Sequence, residues 1–160
     1  MKTNAARILD RLGISYEILT YEVDENNLGA EIATGNLGLP PARVFKTLVA
    51  RTSPKDIVLA CIPADAELEL KALGSAAGAK RAKMVHLGEI QYLTGYVRGG
   101  VSPLGTKKPL PVYIDRSAEN WPTISVSAGL RGHQILVAPG DLTRATGGSF
   151  CRLARTESTD

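Results

Sequence analysis

Arg43-Val44-Phe45-Lys46-Thr47-Leu48-Val49-Ala50-Arg51 and Asp56-Ile57-Val58-Leu59-Ala60-Cys61-Ile62-Pro63, joined by Thr52-Ser53-Pro54-Lys55, are the segments from which the fold is read. Both are runs of β-branched and apolar residues, and the connection between them has the composition of a hairpin loop. Together they predict an antiparallel ribbon in the core. Period two puts Val44, Lys46 and Leu48 on one face of the first strand and Phe45, Thr47 and Val49 on the other. Both faces are largely apolar, as in a strand covered on both sides. Lys46 is the exception, a cation where a hydrophobic residue is expected.

On the N-terminal side, apolar residues at Ala5, Ile8, Leu9 and Leu12 followed by Gly13 predict a helix over Thr3 to Leu12, and the alternation in Ser15 to Val23 predicts a strand with Tyr21 near its exit. Leu28, Ile32 and Leu37 repeat at apolar spacing before the breakers Gly38-Leu39-Pro40-Pro41. On the C-terminal side, Leu68, Leu70 and Leu73 predict a helix within Ala64 to Ala77. A second short helix is expected over Leu87 to Leu93, after the brief apolar run Met84-Val85. Thr94 to Gly105 is dense in glycine and proline and reads as a shaped loop. Short strands are expected at Val112 to Asp115, Thr123 to Ser127 and Gln134 to Ala138, then a last helix with Asp141 as N-cap. This irregular order predicts an α+β fold, a curved mixed β-sheet or partial barrel of about seven strands with short surrounding helices. It spans residues 1–155 as one domain, with a disordered tail at 156–160.

Composition narrows the class. The 160 residues are 44% hydrophobic and 22% charged, which suits one soluble globule. A formal net charge of +3 permits a local contact with nucleic acid but falls short of a dedicated duplex binder. Lys80-Arg81-Ala82-Lys83 and Lys107-Lys108 are its dense basic runs, and a solvated face is an equal reading of either. Only Cys61 and Cys151 are present, so neither a disulfide framework nor zinc-ligand spacing can be drawn. No apolar stretch approaches the ~18 residues of a membrane span, so no membrane partner and a cytoplasmic location are expected.

Lys46 has two readings. Its ammonium could project into a cleft whose low-dielectric walls strengthen a contact to a phosphate or a developing oxyanion. It could equally guard an edge strand or snorkel to water. Gly99-Gly100-Val101-Ser102-Pro103-Leu104-Gly105 and Ser125-Val126-Ser127-Ala128-Gly129 offer backbone amides that can approach a ligand closely, although tight turns would need the same glycines. His86 and His133 show no metal-ligand spacing, Ser102, Ser125 and Ser127 lack a nucleophile elbow, and Cys61 reads as core. No metal and no cofactor is expected.

Taken in order, Tyr21-Glu22, Val44-Phe45-Lys46-Thr47-Leu48, Thr94-Gly95-Tyr96, the Gly99 to Gly105 run, and Ser127-Ala128-Gly129 before Arg131-Gly132 resemble the YbaK family, freestanding relatives of the editing domain inserted in bacterial prolyl-tRNA synthetase. The resemblance runs from about Thr3 to Leu153. It implies a hydrolase that deacylates misacylated tRNA in trans, most typically the cysteine charged onto the proline acceptor. It implies catalytic roles for Lys46, Tyr21 and Gly100, and substrate contacts from Thr47, Gly99, Ser102, Pro103, Ser127, Gly129 and Gln134. Several relatives carry Asp where this chain has Gln134, so an acidic partner for Lys46 is missing here and the site would be more electropositive.

The scissile bond would be an activated ester, so positioning and charge stabilisation, with help from the substrate's own thiol or ribose hydroxyl, would suffice without a triad or a metal. Misacylated tRNA is the implied partner, and a transient complex with prolyl-tRNA synthetase would lend tRNA affinity that this modest positive surface lacks. The oligomeric state is left open. Two other functions fit the same residues: a non-catalytic module that binds an aminoacyl end or a nucleotide, and an ordinary small-molecule esterase.

Overall fold

The computed structural model describes residues 2–23, 26 and 37–155. At its centre are strand β2 (Phe45–Ser53) and strand β3 (Asp56–Pro63), antiparallel, with Lys46 opposite Ile62 and a register irregularity between Arg51 and Ser53 where the hairpin closes. Phe45, Val49, Leu59 and Cys61 enter the main core, whereas Ala50, Val58, Ala60 and Ile62 enter a smaller cluster with Leu73 and Leu153. Burial of both faces is the physical reason for the near-continuous apolar runs.

The ribbon belongs to a five-stranded mixed sheet of order β5-β2-β3-β6-β9. Strand β6 (Val112–Asp115) runs parallel to β3, and β9 (Ser149–Cys151) runs parallel to β6. On the other side, β5 (Lys83–Met84) pairs only with Ala50 and Arg51. In this sheet the N-terminal half of β2, with Lys46 and Thr47, therefore has an edge that β5 does not cover. A second sheet stands beside that edge. Its order is β1 (Glu17–Thr20), β8 (His133–Val137), β7 (Ile124–Ser127), all antiparallel, and a parallel bridge between Val44 and Ser125 ties it to the ribbon. A third, two-stranded sheet pairs β4 (Glu67–Leu68) with β10 (Ala154–Arg155).

The architecture is thus mixed α+β, but the described strands fall into three sheets and close no barrel, in place of one curved sheet of about seven strands. The extra strands β4, β5, β9 and β10 are two or three residues long, too short to show any period. Helix α1 (Asn4–Arg11) forms as expected, capped by Thr3, whose Oγ1 accepts from the Ala6 amide at 3.3 Å, and it buries Ala5, Ala6 and Leu9. The helix expected within Ala64 to Ala77 shortens to α2 (Leu70–Ala76), because Leu68 pairs with Ala154 and the Glu69 amide donates to the Leu153 carbonyl at 2.8 Å. A 3-10 turn (Leu87–Glu89) leads into α3 (Ile90–Thr94).

The last helix, α4 (Pro139–Thr146), begins earlier than expected. Ala138 is its N-cap and Asp141 sits in the first turn, since Pro139 has no amide to satisfy and a φ already set for a first helical position. The Asp141 carboxylate still lies at the favourable end of the helix dipole. Of the repeat Leu28 to Leu37 all but Leu37 lies outside the described residues, as does the tail 156–160. No helix among the described residues is long and apolar enough to cross a membrane.

Candidate active site

A cavity of about 430 Å³ opens along the uncovered edge of β2. Lys46 and Thr47 enter it from the strand, Tyr21 from just beyond β1, Ser127 from the end of β7, Gln134 from β8 and Gly99 from the loop after α3. These residues come from distant parts of the chain for a structural reason. Tyr21 continues the β1–β8 pairing past its last strand residue, its amide donating to the Gly132 carbonyl at 2.9 Å, and Ser127 lies opposite Gln134 across the β7–β8 pair.

Lys46 is half-buried, and its Nζ donates to the Ala64 carbonyl at 3.1 Å. Since Ala64 lies two residues beyond the cross-strand partner Ile62, the side chain reaches along the end of the ribbon instead of out to bulk water. Gln134, 7% exposed, is held by the Ser125 hydroxyl, which donates to its Oε1 at 2.8 Å. That leaves the amide nitrogen as the group it can offer a ligand. Ser127, 8% exposed, accepts at Oγ from the Gly129 amide at 3.1 Å. The Thr47 hydroxyl lies 3.6 Å from the Cys61 sulfur; complete burial pushes that thiol up to about 12, so Cys61 is neutral packing.

The remaining residues singled out from the sequence lie behind the wall. Gly100 is buried where two loops nearly touch, its amide donating to the Val97 carbonyl at 2.9 Å, and a Cβ there would sit 3.3 Å from the Arg131 nitrogen. Ser102 is fully buried and its Oγ accepts from the Leu104 amide at 3.2 Å; Pro103 beside it is also buried. Gly129 has φ +93°, and a Cβ on it would lie 2.7 Å from the Tyr96 ring. Tyr96 in turn donates its hydroxyl to the Leu104 carbonyl at 2.5 Å, and burial pushes its phenol pKa up. These residues fix the shape of the loop that carries Gly99, while Gly99 itself faces the cavity.

Sequence reasoning missed the other half of the lining. Met84, Val85, Leu87 and Ile90 form an apolar wall, and Arg98 adds a second cation at the rim. The run Met84-Val85 was visible, but nothing in its spacing tells that it faces a ligand. Arg98 is exposed, and its carbonyl accepts from Arg131 Nε at 2.7 Å. The described residues that line the cavity include two cations and no carboxylate. No group of His, Cys, Asp and Glu among the described residues could hold a metal ion. The arrangement can therefore bind a group that is, or becomes, negatively charged beside an apolar wall, with backbone and amide donors opposite.

The cavity thus sits in a small α+β fold, with a half-buried lysine at the open edge of a sheet and a glycine loop facing the same space. The chain belongs to the aminoacyl-tRNA editing domain family, which it matches over residues 25–145. It is 40% identical over 156 residues to an Enterococcus faecalis protein provisionally named Cys-tRNA(Pro)/Cys-tRNA(Cys) deacylase EbsC, covering 98% of this chain and 95% of that one. It is 26% identical over 154 residues to the multifunctional Ser/Thr-tRNA deacylase ProXp-y of Escherichia coli, covering 93% and 90%. Among solved structures, the hypothetical protein APE2540 superposes with a TM-score of 0.84 at 21% identity, over 93% of this chain and 97% of that one. A candidate trans-editing enzyme for prolyl tRNA synthetase superposes with a TM-score of 0.78 at 22% identity, over 97% and 99%. Those two likenesses bear on the fold.

Proposed function

We propose that this protein is a cytoplasmic trans-editing hydrolase that deacylates misacylated tRNA, and that Cys-tRNA(Pro) is its preferred substrate. The observation that carries the reading is Lys46: a half-buried ammonium fixed by the Ala64 carbonyl at 3.1 Å, in a cavity whose described lining holds no carboxylate to neutralise it. The relative at 40% identity, whose name specifies cysteinyl-tRNA, supports the choice of amino acid. The E. coli relative, whose name specifies Ser/Thr-tRNA, is the more distant at 26%. The apolar wall of Met84, Val85, Leu87 and Ile90 is compatible with a cysteinyl side chain, because a thiol behaves as a small hydrophobe.

In this reading the terminal adenosine ester enters along the open edge of β2. Lys46 contacts a phosphate or carbonyl oxygen of the ester, Tyr21 orients the sugar or the amino group, and the backbone at Gly99 faces the carbonyl region, while Gly100, its amide committed to the Val97 carbonyl, acts by fixing the turn that presents Gly99. Thr47, Ser127 and Gln134 shape the side-chain pocket, and Ser102, Pro103 and Gly129 keep the walls in place. With a cysteinyl substrate, the substrate sulfur attacks the ester carbonyl carbon, forming a C–S bond as the ester C–O bond breaks. The thiol proton ends on the released ribose oxygen, and the amino acid leaves as a cyclic thioester. The protein supplies geometry and one charge; a well-placed donor of this kind is worth roughly 3 kcal/mol, or about a hundredfold in rate. The domain acts as a unit over residues 1–155, with tRNA affinity supplemented by a transient complex with prolyl-tRNA synthetase.

Incubation with a panel of tRNA(Pro) charged with cysteine, alanine, serine or proline tests this directly. Release of cysteine well ahead of the others supports the assignment. Stable esters throughout the panel overturn it in favour of a binding module, and equal cleavage of aminoacyl esters lacking the tRNA body identifies a small-molecule esterase.

A further inference from the structure

A second hollow, of about 500 Å³, lies on the other side of the helical segment that walls the candidate active site. Leu87 and Ile90 of that segment face the first cavity, whereas Tyr92 and Leu93 face the second. Tyr92 is 76% exposed, more than any other large hydrophobic side chain described. The Lys107 ammonium lies 5.1 Å from the centroid of its ring, and the Lys107 backbone is fixed there by its amide, which donates to the Thr94 carbonyl at 2.9 Å. Lys55 from the hairpin turn and Lys108 line the same hollow, with Asp56 as its single carboxylate among the described residues. Ile57, Leu110 and Pro109 give it an apolar floor.

An exposed aromatic ring flanked by lysines over an apolar floor suits one class of ligand: an unpaired nucleotide, whose base stacks and whose phosphates meet the cations. We propose that this cleft binds an unpaired nucleotide of the same tRNA strand whose aminoacylated end lies in the Lys46 cavity. The identity of the RNA rests on the deacylase reading, while the cleft's preference for single-stranded RNA does not. One short helical segment lines both hollows, Leu87 and Ile90 on one side and Tyr92 and Leu93 on the other, so a strand that crosses this segment from the first reaches the second. The cleft thus extends recognition from the ester to the nucleic acid, and the run Lys107-Lys108 becomes part of a built surface instead of a solvated loop.

The test uses the whole purified chain and two readouts. The first is anisotropy of a fluorescent, uncharged single-stranded RNA with the sequence of a tRNA 3′ end, titrated at several salt concentrations. The second is steady-state deacylation of charged tRNA(Pro). Tyr92→Ala is expected to weaken RNA binding about fivefold or more, and Tyr92→Phe to restore it, since the ring does the stacking. Replacing Lys107 and Lys108 by Ala should lower the salt slope by about 0.7 for each phosphate that is no longer neutralised. In deacylation the same changes should raise KM while kcat holds. Unchanged RNA affinity and salt slope in all variants overturn the proposal. Unchanged RNA affinity together with weaker association with prolyl-tRNA synthetase also overturns it, and assigns the surface to a protein partner. Should the wild type bind RNA through Tyr92 yet cleave no charged tRNA, the cleft stands and the deacylase reading falls.

Discussion

The two hollows on either side of α3 hold lysines in opposite circumstances. Lys46 is half-buried, tied to a carbonyl, and carried by a strand packed on both faces. Lys107 and Lys108 are exposed on a loop. Two unit charges 4 Å apart interact by about 4 kcal/mol at the effective dielectric near a protein surface, but by about 1 kcal/mol in bulk water. The same side chain can therefore stabilise a developing charge in the first setting, and chiefly attract and orient a polyanion in the second. The difference lies in what surrounds the ammonium, and a survey of basic residues along the sequence cannot see it.

The strongest test of that difference is Lys46→Ala. Its kcat/KM for charged tRNA should fall by about a hundredfold or more, while unfolding free energy changes by no more than about 1 kcal/mol, because the residue is not packed in either core cluster. Deacylation kinetics and urea denaturation on the same preparation check both halves. A variant that keeps its turnover shows that Lys46 behaves like the exposed lysines across α3, and the contrast disappears.

Gly129→Ala should come next. A methyl group at φ +93°, placed 2.7 Å from the Tyr96 ring, forces apart the two loops that shape the cavity. The expected loss is about 1–3 kcal/mol of stability, seen as a lower urea midpoint, together with a fall in kcat, because the Gly129 amide holds the Ser127 hydroxyl. RNA binding at Tyr92 should be spared. Asp115→Asn is the control that touches neither hollow. Asp115, 5% exposed, accepts from the Leu153 and Ala154 amides at 2.9 and 2.8 Å. Burial pushes its carboxyl up, but these bonds and the Ser117 amide outweigh that and hold it below the usual value. Its contribution is present above the ordinary aspartate range and is lost as pH falls through the depressed folded value. The Asn variant should lose about 1–3 kcal/mol near neutral pH and show a weaker acid dependence of unfolding, with kinetics per folded molecule unchanged.

The contrast also explains which parts were legible in the sequence. The ribbon was, because Phe45 to Ala50 and Val58 to Pro63 send residues into core on both faces and carry the composition of such strands. Helix α1 was, through its apolar period and the Gly13 that follows it. The pairing of Leu68 with Ala154 and of Tyr113 with Ser149 was not, since a strand of two or three residues is defined by its partner and not by any pattern of its own. At the site, Lys46 announced itself as a cation in an apolar run, and Gly99 as one of a cluster. Arg98, Leu87 and Ile90 gave no such sign: an exposed arginine and two residues of a short helix are ordinary until the fold turns them toward the same space. Tyr92 was illegible for the same reason, because exposure is decided by the fold.

The smallest expected effect concerns the segment that separates the hollows. Arg51 Nη2 donates to Glu89 Oε2 at 2.8 Å, and this pair ties β2 to the turn that leads into α3. Arg51 holds the Glu89 carboxyl below its usual range through a hydrogen bond and its charge. Whatever the pair adds is therefore present above the ordinary glutamate value and lost as pH falls through the lower folded one. Glu89→Gln keeps the shape and removes the charge, so the melting temperature should drop by less than in Asp115→Asn. The informative readout is kinetic. If the segment is a shared wall, loosening it should raise KM for charged tRNA and weaken RNA binding at Tyr92 in the same variant. The other substitutions leave at least one of the two hollows as it was. A Glu89→Gln protein that loses only one of the two functions shows that the hollows are walled independently, and that a strand need not pass from one to the other along α3.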